Sequence, residues 1–381
     1  MLNRTKINFI KKWWLSIDKT VMFLVIFMML LGNIFTSLAS PVVATRIGAS
    51  SNIFIVKNLM FSIIGFFILI ACSTLDKKKI IYISTVCFSV LMLLMVLVLI
   101  FGMSNKGAKR WIYISGFSLQ PSEIIKPFFI VITSYILTNF KKTKNLNILI
   151  SLALYGALAL LLILQPDIGM LILISTMFFV ELFLIRVKLR YFIFLASIAS
   201  IAFIGLYSFF PHFHTRINTF VESTFLGGEK SYQVEKSLSA FSGGGLLGKG
   251  PFEGTVKNYI PDAHTDFIFS VVGEEFGSIV CIFIIFIFFY ISIRIMLRTT
   301  DMDDNFSYIA INCLSLQFLF QAVINIGVTL NLLPTKGMTL PLISYGGSSM
   351  IGTTITIGFM LALSKKTYGN IGKELKYILE K

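Results

Sequence analysis

Charge is scarce in this chain. Asp, Glu, Lys and Arg together make up 13% of its 381 residues, about half the share usual in a soluble globular domain, and acids are the rarer kind, 18 against 33 bases. So little charge cannot clothe a water-soluble surface. Cysteine is also scarce, with 4 residues. Cys72, Cys87, Cys281 and Cys313 all lie in or beside apolar runs, which implies neither a disulfide framework nor a zinc motif. Low-complexity linkers and internal repeats are lacking, so residues 1–381 read as one domain.

What the chain has in abundance is apolar surface: 56% of residues are hydrophobic and 38 are Phe. Windows of about 18 or more apolar residues, enough to cross about 30 Å of hydrocarbon as a helix, centre near 20–39, 53–72, 80–102, 122–138, 147–164, 168–185, 190–210, 266–293, 306–331 and 343–363. The expectation is an all-α polytopic membrane protein with ten transmembrane helices. Little more than Gln165-Pro166-Asp167 separates the fifth and sixth, where Pro166 stops a helix and favours tight re-entry. No small-residue cleavage pattern follows the first window, so it reads as a retained helix.

The net charge of +15 invites a nucleic-acid partner, but its distribution argues against one. With ten spans, the N-terminal segment (1–19), the even-numbered loops and the C-terminal segment (365–381) are short and hold 21 of the 33 Lys and Arg. The positive-inside rule then places both in the cytoplasm. The remaining large loop, 211–264 between the seventh and eighth spans, is exported, and a connection of that length is usually functional. Within it SYQVEKSLSAF has the makings of a short helix and SGGGLLGKG of a flexible or backbone-exposing turn. The glycine run lacks the ending of a phosphate-binding loop and follows no strand, so no nucleotide site is read there.

Unusual polar chemistry gathers on the exported side, in NKGAKRWIYISGFSLQPSE (105–123), QPDIG (165–169), the 211–276 region and LLPTKGMTLPLISYGGSS (332–349). Charged groups at membrane depth tend to mark substrate paths, so a polar cavity opening outward is expected. Each group also has a plainer reading. Glu123 and Lys126, three apart, suit mutual neutralisation on one helical face. Asp167 suits a cap on the sixth helix. Lys109, Arg110 and Trp111 suit an interfacial anchor. His264, a lone histidine, suits packing or capping better than metal binding. Glu274 and Glu275, adjacent and so about 100° apart on a helix, are expected to face a cavity and a basic residue respectively, or the reverse. Asp266, beside Phe267, Ile268 and Phe269, is the hardest to explain without chemistry.

KGAKRWI (106–112), LQPSE (119–123), QPDIG (165–169), PDAHTDFIFSVVGEEFG (261–277) and LLPTKGMTLPLISYGGSS (332–349) resemble, in order and over nearly the whole chain, the SEDS family of shape, elongation, division and sporulation proteins. GEE at 273–275 and the PTKGMTLPLISYGGSS run are more similar to the division members than to the elongation members. Two positions depart from the family pattern: Lys236 stands where Gln is frequent, and Gly250-Pro251-Phe252 replaces a Gly-x-Gly. The resemblance implies a ten-helix glycosyltransferase that polymerises lipid II into β1,4-linked glycan at the outer face of the bacterial cytoplasmic membrane, at the division septum. Its implied partners are a class B penicillin-binding transpeptidase and other division proteins, with no nucleic acid.

By match to HTDF, Asp266 is the implied essential acid, a general base in a single inverting displacement. Lys109, Arg110 and Lys336 are candidates for the charge of the departing pyrophosphate. Trp111, Glu123, Asp167, Gln233, His264, Glu274 and Ser344 complete the expected substrate-binding set. A divalent cation, magnesium or manganese, stays open as a cofactor. The alternative from another class is a lipid II flippase, which predicts essential polar groups on both sides of the membrane.

Overall fold

The computed structural model describes residues 9–365 except 47, 49, 106–107, 115–116, 140–143, 189–190, most of 194–210, 226–227, 229–230, 301 and 336. The apolar runs form helices, the open-ended conformation in which a segment satisfies its own backbone polar groups without water. In chain order these are α1 (Phe9–Ser16), α2 (Lys19–Arg46), α3 (Ile53–Thr74), α4 (Lys77–Phe101), α5 (Pro121–Thr138), α6 (Lys144–Leu164), α7 (Ile168–Leu184), α8 (Pro211–Phe225), α9 (Tyr232–Gly244), α10 (Ile268–Leu297), α11 (Asn305–Thr329) and α12 (Gly347–Leu363).

Among the described residues, nine of the ten expected windows fall on helices; the window 190–210 lies largely outside them. Six helices among the described residues are long and apolar enough to span a membrane: α2, α3, α4, the 145–164 part of α6, α10 and α11. α7 and α12 are shorter, and α12 starts at Gly347 rather than near 343 because residues 340–345 are held in a turn described below. α5 and α12 form the centre of the bundle and are buried along nearly their whole length. α12 packs on α3, α5 and α11. The outer faces of α3 and α4 present Val56, Leu59, Phe67, Tyr82, Val90 and Leu93 outward, as lipid-facing helices do. Lipid supplies no hydrophobic drive for helices to associate, so packing and interhelical hydrogen bonds carry the load. Between α2 and α3, Asn58 Nδ2 donates to Asn33 Oδ1 (2.9 Å) and Asn33 Nδ2 to Ser62 Oγ (3.1 Å).

Alternating helix direction collects the polar connections at two ends. One end, the site end, gathers 103–119, 165–167, 231–267 and 330–346. The other joins the α3–α4 turn to the α10–α11 turn through Lys77 and Asp304 (2.7 Å), and α2 to α10 through Asp18 and Arg294 (2.7 Å).

At the site end one feature differs from expectation and another decides between two alternatives. The described residues of 103–119 form a three-stranded antiparallel sheet, β1 (Met103–Asn105), β2 (Ala108–Ile114) and β3 (Phe117–Leu119), in the order β1-β2-β3. The glycine run after α9 is not flexible but takes the backbone-exposing alternative, as an ordered strap. α10 breaks at Gly277 (φ 79°, ψ 178°), a combination open in practice only to glycine, and the strap serves the backbone on either side of the break. Ser278 N donates to Gly245 O (3.0 Å), Ile279 N to Leu246 O (3.3 Å), Lys249 N to Glu274 O (3.0 Å) and Gly250 N to Glu275 O (3.0 Å).

Candidate active site

Asp266 ends a run of turns, 261–267, that leads directly into α10, and its residue is half-buried. Its backbone is clamped from α11: Asn325 Nδ2 donates to Asp266 O (2.8 Å) and to Met338 O (2.6 Å), tying HTDF to the 332–349 segment. Ser344 reinforces the tie, donating to Thr265 O (2.6 Å) and accepting from Leu340 N (2.8 Å). Ser344 therefore spends its hydroxyl on the scaffold, as a staple between the two motifs. Gly337 approaches the carboxylate so closely that a β-carbon there would stand 3.2 Å from Asp266 Oδ2.

His264 is a packing residue, as the plainer reading has it. Its ring clusters with Phe54 (4.6 Å) and Tyr345 (5.3 Å), which also meet each other (5.1 Å), and its carbonyl accepts from Tyr345 N (2.9 Å). Burial, opposed only partly by Asp262, pushes its pKa down to about 4, so the imidazole is neutral at pH 7 and adds no positive charge to the site.

Asp167 stands at the N-cap of α7, its carbonyl accepting from Leu171 N (3.0 Å), but no backbone N–H of that helix reaches its carboxylate. It is instead the hub of a network joining three sequence motifs. Gln120 Nε2 and Ser122 Oγ both donate to Oδ2 at 3.1 Å, and Arg110 Nη1 lies 3.6 Å from Oδ1. Arg110 further donates from Nε to Gln165 O (3.0 Å) and from Nη2 to Pro166 O. Gln120 N in turn donates to Ser348 Oγ (2.8 Å). Arg110 thus fastens β2 to the 165–167 turn, a role that uses the rigid fork of a guanidinium. Arg110→Ala should lower stability by about 1–3 kcal/mol, the range for orphaning buried polar partners, with Arg110→Lys recovering only part; thermal unfolding in detergent measures it, and an unchanged midpoint in Arg110→Ala would end the fastening role.

Glu123 and Lys126 neutralise each other (2.6 Å) inside the bundle. Lys126 Nζ also donates to Gln321 Oε1 (2.7 Å), and Gln321 Nε2 to Thr339 O (3.2 Å), so the pair braces the 332–349 segment from below. Lys109 is exposed on β2, Trp111 and Gln233 are half-buried, and Lys336 lies outside the described residues.

Glu274 and Glu275 depart from the expectation of one cavity-facing acid. Both side chains are fully buried, and both face bases of the strap. Glu274 accepts from Lys249 Nζ (2.8 Å) and from the backbone N–H groups of Thr255 (2.9 Å), Val256 (2.9 Å) and Lys257 (2.7 Å). Glu275 accepts from Lys257 Nζ and from Phe252 N (3.1 Å). Adjacent carboxylates diverge on a helix, and the strap wraps the helix so that each finds its own lysine. Among the described residues no group of three or more His, Cys, Asp or Glu side chains is placed to hold a metal ion.

Sequence reasoning passed over Asn325, Gln120, Gln321 and Ser348. The three on helices read as ordinary polar residues within apolar spans, and only the rule that polar groups in a membrane need partners singles them out.

The chain as a whole is similar to known proteins. The family described as cell cycle protein, FtsW/RodA/SpoVE, matches residues 18–369. The chain belongs to this family. Curated relatives include the probable peptidoglycan glycosyltransferase FtsW of Caulobacter vibrioides, 33% identical over 94% of this chain and 92% of that protein. The probable peptidoglycan glycosyltransferase FtsW of Escherichia coli O6:H1 is 32% identical over 92% of this chain and 86% of that protein. Among solved structures, the rod shape determining protein RodA of Thermus thermophilus shares the fold with a TM-score of 0.67, at 23% identity over 92% of this chain and 97% of that one. A chain from a peptidoglycan synthase complex studied for its coordination of polymerization and crosslinking superposes with a TM-score of 0.74, at 23% identity over 92% and 98%. The FtsW/RodA/SpoVE fold is therefore the fold of this chain.

Proposed function

We propose that this chain is a peptidoglycan glycosyltransferase that polymerises lipid II at the outer face of the cytoplasmic membrane during cell division, with the site end outward and Asp266 as general base. The observation that carries the reading is the mounting of Asp266: half-buried, at the start of α10, its carbonyl clamped by Asn325 and its carboxylate against Gly337. A base must hold its position as the proton moves, and both neighbouring segments fix this one. The names of the curated relatives support the class of reaction.

In the proposed step the acceptor sugar's 4-hydroxyl gives its proton to an Asp266 carboxylate oxygen as its oxygen bonds to the donor's anomeric carbon. The bond from that carbon to the pyrophosphate oxygen breaks, and lipid pyrophosphate leaves with the electron pair. One displacement converts an α-linked donor into a β1,4 link, so no enzyme nucleophile is required. Exposed Lys109, on β2, is the cation proposed to meet the leaving pyrophosphate. Arg110 contributes whatever edge its bonds to the 165–167 turn leave open. A class B penicillin-binding transpeptidase is the proposed partner, a reading supported by the shared fold of a chain from a synthase complex.

Purified chain supplied with that partner and lipid II in detergent should make glycan strands, since detergent leaves no sealed compartment for a flippase to act across. In intact spheroplasts an impermeant thiol reagent should label Glu235→Cys, at an exposed position of α9. Lipid II translocation in sealed vesicles without polymer in detergent would replace the polymerase with a flippase, and labelling only after lysis would reverse the orientation.

A further inference from the structure

We infer that the end of the bundle opposite Asp266 carries a binding site for an anionic phospholipid, its phosphate on Arg294 and Arg298 and an acyl chain in the groove that runs along α10. The inference does not depend on the proposed reaction. Arg294 lies in the last turn of α10 and Arg298 just beyond it. One carboxylate orients both: Asp18 Oδ2 is 2.7 Å from Arg294 Nε and 2.6 Å from Arg298 Nη2. Asp18 is itself fixed, because its Oδ1 accepts from Thr20 N (3.0 Å) and Val21 N (3.2 Å) at the start of α2. Arg294 gains a further constraint from Tyr290, whose hydroxyl accepts from Nη1 (3.1 Å). The result is a pair of pre-oriented guanidiniums, yet neither is sealed in: their side chains are 36% and 24% exposed.

Directly beside them is a groove of about 450 Å³ walled by Phe286, Phe289, Tyr290, Ile293 and Leu297 and closed at one end by the two arginines. Its walls are strongly exposed, Phe286 at 62% and Leu297 at 63%, and belong to a helix apolar enough to span a membrane, so they stand among acyl chains. The neighbouring α1 bears marks of headgroup depth. Trp14 packs against Trp13 and under Lys19, whose ammonium lies 5.9 Å from the Trp14 ring, and Lys11 and Lys12 are exposed. A guanidinium offers phosphate two parallel hydrogen bonds. Together, a paired fork at headgroup level and an apolar trough beneath it match a molecule with a phosphate at one end and a hydrocarbon chain at the other. Charge complementarity selects net-negative phosphatidylglycerol over zwitterionic phosphatidylcholine, and a soluble phosphate leaves the trough unfilled.

The full chain, delipidated in detergent and offered phosphatidylglycerol and phosphatidylcholine of equal chain length, should retain the anionic lipid by native mass spectrometry at least about fivefold better, the factor one basic residue supplies near a membrane surface. Arg294→Gln should erase that preference. Ile293→Trp fills the trough from a lipid-facing position without touching the Asp18 cluster, and should lower retention of both lipids while leaving the thermal midpoint in detergent unchanged. Glycerol phosphate at the same concentration should displace nothing. Equal retention of the two lipids by the unmodified chain, undiminished retention in Ile293→Trp, or displacement by glycerol phosphate would each overturn the site.

Discussion

Asp266→Asn should reduce strand formation from lipid II by at least about 10²-fold, the low end of what a positioned general base contributes, while the protein folds and assembles as before. The asparagine has nearly the size of aspartate. The tie that holds this stretch also uses the residue's carbonyl, not its side chain: Asn325 Nδ2 donates to Asp266 O. The substitution therefore leaves the α11 clamp and the Ser344 staple on Thr265 O in place, and removes the carboxylate proposed to take the proton. Gly337, against Oδ2, leaves room for an amide of the same shape. The measurement is glycan made per protein in detergent, with lipid II binding and the thermal midpoint read on the same preparation. Loss of polymer at an unchanged midpoint assigns the base. Polymer within a few-fold of the unmodified chain would remove Asp266 from the chemistry and leave it a structural residue of the turn before α10.

The sequence made the membrane architecture legible where the signal was long. Runs such as 53–72 and 80–102 carry enough apolar residues to dictate a helix whatever surrounds them. Polar residues were legible as a set but not as partners. Adjacency alone said that Glu274 and Glu275 point apart; it could not say that Lys249 and Lys257, from a strap 17 to 26 residues earlier in the chain, would meet both. Asp167 showed the same limit. Its place before a helix suggested a cap, but Arg110, Gln120 and Ser122, all distant in sequence, offered stronger bonds once the helices had brought them near. The sheet at 103–119 did leave a signal: Arg110-Trp111-Ile112-Tyr113-Ile114 is a β-branched and aromatic run, masked by reading the segment only for its charges. Span lengths are local properties, whereas ion pairs depend on register between helices, and one chain read alone holds little of that.

Lys257→Met should be the most destabilising of the conservative substitutions at this end, by about 3–5 kcal/mol, the usual cost of removing one partner from a buried ion pair. Glu275 is fully buried and its lysine nearly so. Methionine keeps the length of the side chain but loses both the ion pair and the cation–π contact of Lys257 Nζ with the Phe252 ring (5.6 Å), so the lost term is the charge. Glu275 would then be left with Phe252 N as its remaining described partner, in a place water does not reach. The strap it holds leads into the turn that presents Asp266, so polymerisation should fall with stability. Adding Glu275→Gln removes the stranded charge and keeps an acceptor for Phe252 N, so Lys257→Met/Glu275→Gln should recover most of the lost stability. The recovery separates charge from packing: a packing defect at position 257 would persist in the double variant. Thermal unfolding in detergent, run on both variants beside the unmodified chain, reads the outcome. A single variant as stable as the parent, or a double variant no better than the single, would show that the Lys257–Glu275 pair does not hold the strap to α10.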